Sequence, residues 1–461
     1  MSFPIDSFLK YKHEAERLLR SRMNVKALRT RGGRFPVAPP TARQLAEECE
    51  QLESFKDFAG TAIPHKGSPK LWAVSEILRR AGFYHALLRG GSGEDQWQAL
   101  SGRFEPHPRA LRTLVLLDGC AFPVDRFPLL ELSVERLPAE EIESLGPQLD
   151  VSESFFPQER IDPVWFNQQW FLCRDSQGHE RPGMITARWP LDVIGGFWKP
   201  ILALALYSTS PFAAPIGIES EKGWRLERLI WRDPAYEISP DEDATEVPRR
   251  VYRVTKEEFP RFEKFLRLIE SALASFTDDM PIRLAARRYL RAMMTTGFDI
   301  AQATGDEEED ALLQYVFAIE QLLLQGEREA IADKIGQRCA YLIALDDDGY
   351  RWRVFQEIKA LYDLRSRVVH GTPSGKKKGK QTPAKDASWL HYQEREVELE
   401  RRRDLVRRVL LAIVVLRAHL PSDGEWKDAL QRLPLSHSLQ DLAASSAREA
   451  FALISDGPVD L

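Results

Sequence analysis

LYDLRSRVVHG, residues Leu361–Gly371, puts an arginine and a histidine five positions apart at the end of a long amphipathic run. Histidine, with an ordinary pKa of about 6.5, can take or give a proton near neutrality. Arginine stays charged and presents a planar donor fork that fits phosphate oxygens. Together they suit chemistry at a phosphate ester. Spacing adds a constraint, because positions i and i+5 of an ideal helix point about 140° apart. Arg365 and His370 therefore share no helix face. Either the helix ends before His370, as Gly371 and Pro373 suggest, or a second copy of the motif completes the site, and both effects can operate together.

Three helical segments precede the motif: Met280 to Ala303, Asp306 to Gln325, and Glu327 to Leu345. Phe317-Ala318-Ile319-Glu320-Gln321-Leu322 lies in the second and Arg338-Cys339-Ala340 in the third. With these helices in this order, Arg365-x4-His370 resembles the R-x4-6-H motif of the HEPN superfamily, and its wording resembles the Apea-like branch. The resemblance covers about 140 residues. It implies an α+β N-terminal region with a C-terminal all-α HEPN helical bundle, and a metal-independent endoribonuclease that uses no cofactor.

On that resemblance the site is composite across a two-fold homodimer or a higher even oligomer. His370 acts as general base or acid on an RNA substrate, Arg365 stabilises the pentacoordinate phosphate, and Ser366 and Arg367 orient it. The products carry 2′,3′-cyclic phosphate and 5′-hydroxyl ends. Many members of the superfamily have Asn, Asp or His directly after the arginine, where this chain has Ser366. Proteins of this layout are prokaryotic anti-phage defence or toxin effectors, answering a phage-derived or nucleotide trigger. The rival expectations are a noncatalytic HEPN module that binds nucleotide or dimerises, and a small-ligand sensor in the N-terminal region. Glu320 either orients Arg365 or forms a salt bridge, and the expectation favours the salt bridge, with Arg338 as partner.

After the motif, GTPSGKKKGKQTPAK supplies Lys376, Lys377, Lys378 and Lys380. Its glycine spacing is one residue short for a phosphate-binding P-loop, and a helix rather than a strand precedes it. It reads either as a basic flap holding RNA backbone by charge or as a solvated loop. The acidic run Asp306 to Asp310 reads as helix-start chemistry. No metal site is expected, since the remaining histidines form no ligand spacing and Cys49, Cys120, Cys173 and Cys339 form no C-x-x-C.

The length of 461 residues allows two or three domains, and a net charge of −5 gives no global attraction to nucleic acid or anionic membranes. The opening MSFPIDSFLKYKHE lacks the order of a signal peptide, and the apolar run Val409 to Leu416 is too short to span a bilayer. A cytoplasmic protein without membrane contact is expected. Residues 1–276 read as an N-terminal α+β sensor or scaffold region: helical to about 90, strand-rich over 110–255, and closed by a bridging helix over 256–276. Residues 277–420 read as the HEPN domain, and 421–461 as a tail with one amphipathic helix. Residues 1–35 are basic, either a nucleic-acid-facing arm or a solvated helix. Trp165, Trp170, Trp189, Trp198, Trp224 and Trp231 are expected in an aromatic core, with base stacking as the alternative. The run ILALALYS reads as a strand, and on the helix from Asp386 to Leu420 the arginines 401–403, 407 and 408 are placed opposite or beside the apolar side.

Overall fold

The computed structural model describes residues 6, 8–10, 13, 92–101, 109–138, 141, 169–178, 197–210, 212–214, 216–221, 225–232, 252–274, 280–296, 305–324, 327, 329–345, 347–369, 385–420 and 422–455. In the first 260 residues the elements are α1 (Gly93–Ser101), β1 (Arg109–Leu117), β2 (Cys120–Ala121), β3 (Arg126–Leu129), β4 (Leu132–Arg136), β5 (Trp170–Gly178), α2 (Trp198–Tyr207), β6 (Ile216–Glu221), β7 (Arg225–Arg232) and β8 (Tyr252–Arg253). Among the described residues, helices alone follow: α3 (Phe259–Ala274), α4 (Met280–Thr296), α5 (Gly305–Leu323), α6 (Ile331–Ile343), α7 (Asp348–Val369), α8 (Lys385–Arg417), α9 (Asp423–Arg432) and α10 (His437–Phe451). The layout is thus mostly helical, with an antiparallel sheet in the N-terminal half. Most of the stretch expected to be helical up to about residue 90, the basic arm included, lies outside the described residues.

The chain divides into two compact units. The first comprises Met1–Leu116, Arg136–Val193 and Pro215–Glu242, and its strands run in the order β5-β1-β6-β7. β1 pairs antiparallel with β6, Leu114 opposite Ile218, and β6 with β7 through two register shifts. Leu114, Val115 and Leu116 are all buried, so β1 is covered on both faces and its apolar residues run without alternation. Arg112, buried on the same strand, is answered by Glu141 at 2.7 Å and Asp175 at 3.5 Å. Of the tryptophans expected in the core, Trp170 is buried and Trp198, which falls in the second unit, is half-buried. Trp165, Trp189 and Trp224, and the side chain of Trp231, lie outside the described residues.

The second unit comprises Leu117–Glu135, Ile194–Ala214 and Asp243–Leu461. The hairpin β3-β4 turns at Leu130, which takes a positive φ of 57°. Cys120 and Tyr252 are register partners in the parallel pair β2-β8. Phe122, Phe127, Tyr207, Tyr252 and Phe262 pack ring on ring beside this pair, and the Tyr252 hydroxyl donates to Leu204 O at 3.0 Å. The spacing of Phe262, Phe265, Leu266, Ile269 and Leu273 on α3 follows one helical face, and all five are buried.

Three expectations are corrected here. ILALALYS forms the helix α2, buried along Pro200–Tyr207, rather than a strand. A run that is apolar on every side carries no period to separate strand from helix, and its alternating Leu and Ala favour the helix. The tail carries two helices, α9 and α10. α9 opens on a capping box, in which Ser422 Oγ accepts from Glu425 N at 3.1 Å and Glu425 accepts from Ser422 N at 3.0 Å. It then buries Trp426, Ala429, Leu430 and Leu433.

The arginines of α8 are the third correction. Arg403, Arg407 and Arg408 are buried, while Val397 on the same helix is 63% exposed. α8 runs through the middle of the unit, with α2, α3, α5, α6 and α10 packed around it, so positions beside its apolar stripe are covered as well. Asp404 makes this tolerable. One of its oxygens accepts from Arg407 and the other from Arg408 Nε at 2.9 Å.

α7 reaches its place through α6. A Cβ at Gly336 would stand 2.9 Å from Phe355 Cδ2 and 3.3 Å from Phe355 O. Gly336→Val should therefore push the two helices apart and cost about 1–3 kcal/mol of stability, read as a lower midpoint in urea unfolding. An unchanged midpoint would show that the contact yields without strain.

Candidate functional site

Val354, Ile358 and Leu361 step along α7 at intervals of four and three and are buried against α6 and α5. The next position on that stripe is Arg365. Helical periodicity therefore points the guanidinium inward at the place where α7 leaves the core, and the side chain is 25% exposed. The neighbouring stripe on α5 is Gln314, Phe317 and Glu320. Arg365 Nε lies 3.8 Å from Glu320 Oε1, and its guanidinium carbon sits 5.5 Å from the Phe317 ring centroid and 5.6 Å from that of Tyr362.

These contacts orient Arg365 without consuming it. At 3.8 Å the carboxylate acts through charge rather than a hydrogen bond. A partly exposed pair of this kind contributes up to about 1 kcal/mol. Among the described residues Arg365 Nε has no hydrogen-bond partner, so it can donate to an oxyanion. From α4, Arg288 lies 5.0 Å from the Phe317 centroid and donates to Gln314 Oε1 at 3.2 Å. Two guanidiniums thus share one aromatic ring.

Glu320 pairs with Arg365, which corrects the expected bridge to Arg338. Arg338 is buried and fully occupied elsewhere: it donates to Leu323 O, to Leu430 O at 3.1 Å and to Glu327 at 2.7 Å. Burial alone would raise the Glu327 carboxyl, but Arg338 and Lys334 outweigh it and hold the group below its ordinary value. The Tyr362 hydroxyl is raised by burial and by its hydrogen bond to Glu320, with Arg365 opposing.

Of the residues expected at the site, Arg365, Ser366 and Glu320 are placed, and Ser366 is half-buried on α7. Arg367 lies in α7 with its side chain outside the described residues. α7 ends at Val369, one residue before His370, which lies outside them together with Lys376, Lys377, Lys378 and Lys380. Arg288, Gln314 and Tyr362 were missed by sequence reasoning. Tyr362 could have been found from its i, i+3 spacing to Arg365; Arg288 and Gln314 meet only through the pairing of α4 with α5. Along α8, Arg401 and Arg402 pair with Glu357 and Glu398, and Arg403, Arg407 and Arg408 are buried, so these five arginines form no exposed basic face.

Among the described residues no group of three or more His, Cys, Asp or Glu is arranged to hold a metal ion, and no helix is long and apolar enough to cross a membrane. Compared with known proteins, the chain matches no family model, no curated protein and no solved structure.

The coupling of Tyr362 to Glu320 can be read directly. A phenolate is disfavoured by burial and by a neighbouring carboxylate, so removing the carboxylate charge in Glu320→Gln should lower the titration midpoint of Tyr362 toward that of a free tyrosine. Tyrosine-labelled carbon NMR across alkaline pH checks this. An unmoved midpoint would show that the two groups do not interact.

Proposed function

We propose that this chain is a metal-independent endoribonuclease of HEPN type, completed across a two-fold dimer. What supports the reading is the state of Arg365: an inward-facing guanidinium, aligned by two aromatic rings and a carboxylate, whose Nε has no hydrogen-bond partner among the described residues. Its position near the helix end puts it five residues from His370 in the chain.

In this mechanism His370 takes the proton from the ribose 2′-hydroxyl. The 2′-oxygen attacks the adjacent phosphorus, the bond to the 5′-oxygen breaks, and the partner subunit's His370 protonates that leaving oxygen. Arg365 donates to the equatorial oxygens as charge builds on them, which is where a fixed donor lowers a barrier most. Glu320 keeps the guanidinium from turning, and Ser366 and Arg367 position the substrate. Lys376, Lys377, Lys378 and Lys380 follow closely and add charge for the RNA backbone. An activity of this kind suits an effector that cuts RNA after infection and answers a phage-derived or nucleotide signal.

Substitution separates chemistry from structure. Arg365→Lys keeps the charge but loses the fork, and should lower turnover by about 10²- to 10³-fold. His370→Ala should abolish cleavage. Both variants should keep the wild-type melting temperature and the dimer seen by light scattering. Loss of the dimer or of stability in step with activity would make Arg365 and His370 structural residues and overturn the reading.

A further inference from the structure

Arg403 on α8 is 1% exposed, and none of its three guanidinium nitrogens has a hydrogen-bond partner among the described residues. The adjacent carboxylate makes no bond to it: Asp404 accepts from Arg407 on one oxygen and from Arg408 on the other. An arginine does not shed its proton to escape burial. A desolvated cation left alone is strongly unfavourable, so something negative or strongly accepting must stand against it.

The surroundings are those of an anion site. Arg407 follows one turn later and is itself fully buried. From α4 comes Tyr289, whose hydroxyl feels both Arg403 and Arg407 and is raised above its ordinary value by burial. From α5 comes Tyr315, its ring 5.7 Å from that of Tyr289. Arg403 and Arg407 thus lie close to Tyr289, whose hydroxyl donates to Ala205 O at 3.5 Å, with Asp404 held by Arg407 and with Tyr315 against the Tyr289 ring.

We propose that Arg403 holds a small oxyanion enclosed within the helical unit, its guanidinium fork donating to two oxygens with Tyr289 beside it. Phosphate, a phosphate monoester and a carboxylate all present that pair of oxygens. The site lies apart from Arg365 and does not depend on the ribonuclease reading. It accounts for a charged residue at a position where Met or Leu would pack at lower cost.

The test uses the full chain and Arg403→Met, which keeps the length of the stem without the charge. Both are dialysed into HEPES with potassium chloride. Ion chromatography after acid denaturation reads any retained anion. Melts are then recorded with inorganic phosphate, AMP or acetate against potassium chloride of equal ionic strength. The wild type should release a stoichiometric oxyanion, or gain about 3–5 °C at saturation with at least one of the three. Arg403→Met should do neither, and the anion that acts identifies the source. If the variant does not fold, anion release and the dose response of the wild type decide alone. A wild type that retains nothing and responds only as it does to chloride would mean that buried water satisfies Arg403, and would overturn the proposal. An equal response from Arg403→Met would place the anion elsewhere and overturn it as well.

Discussion

The helical unit depends on one carboxylate. Asp404 sits in the middle of α8 and offers one oxygen to Arg407 and the other to Arg408. Without it, two buried cations would lose the carboxylate that answers them both, a loss that costs several kcal/mol. With it, α8 can run through the interior while its arginines reach outward to other elements. Arg407 donates to Leu206 O, tying α8 to the end of α2, and Arg408 lies 5.3 Å from the Phe451 ring centroid of α10. The long stems of these arginines also fill core volume that shorter polar residues would leave empty.

The same rule, that a buried stripe runs on until a polar residue must take its last place, shapes the candidate site. On α7 the stripe of Val354, Ile358 and Leu361 leads to Arg365. On α5 the corresponding face closes with Phe317 and Glu320. The two endings meet, so the core delivers an oriented guanidinium to the place where α7 stops. A cation tethered on an exposed loop would lose its orientation to rotamer freedom, whereas this one is constrained by rings on two helices.

How far the sequence could be read follows from where periodicity carries information. α3, α4, α5 and α6 announce themselves by apolar residues at helical spacing, and Arg365 by its place at the end of such a pattern. α2 could not be separated from a strand, because a helix buried on every side has no polar face. The α8 arginines were placed opposite or beside the apolar side because charge is exposed by default. The contrary signal was present in Asp404 with arginines three and four positions on, which lets a charged cluster neutralise itself within one helix. Which acid answers which arginine was not legible. Glu320 and Glu327 stand one on each side of a turn, and only the packing of α6 assigns Arg338 to the second.

The central claim is that this helix end cuts RNA without a metal, and its products report on it most directly. Purified protein incubated with RNA in excess EDTA, followed by analysis of the fragment ends, should yield 2′,3′-cyclic phosphates and 5′-hydroxyls, the only ends that attack by the neighbouring 2′-oxygen can leave. Intact RNA, or fragments with 5′-phosphates that appear only when a divalent metal is restored, would contradict the account.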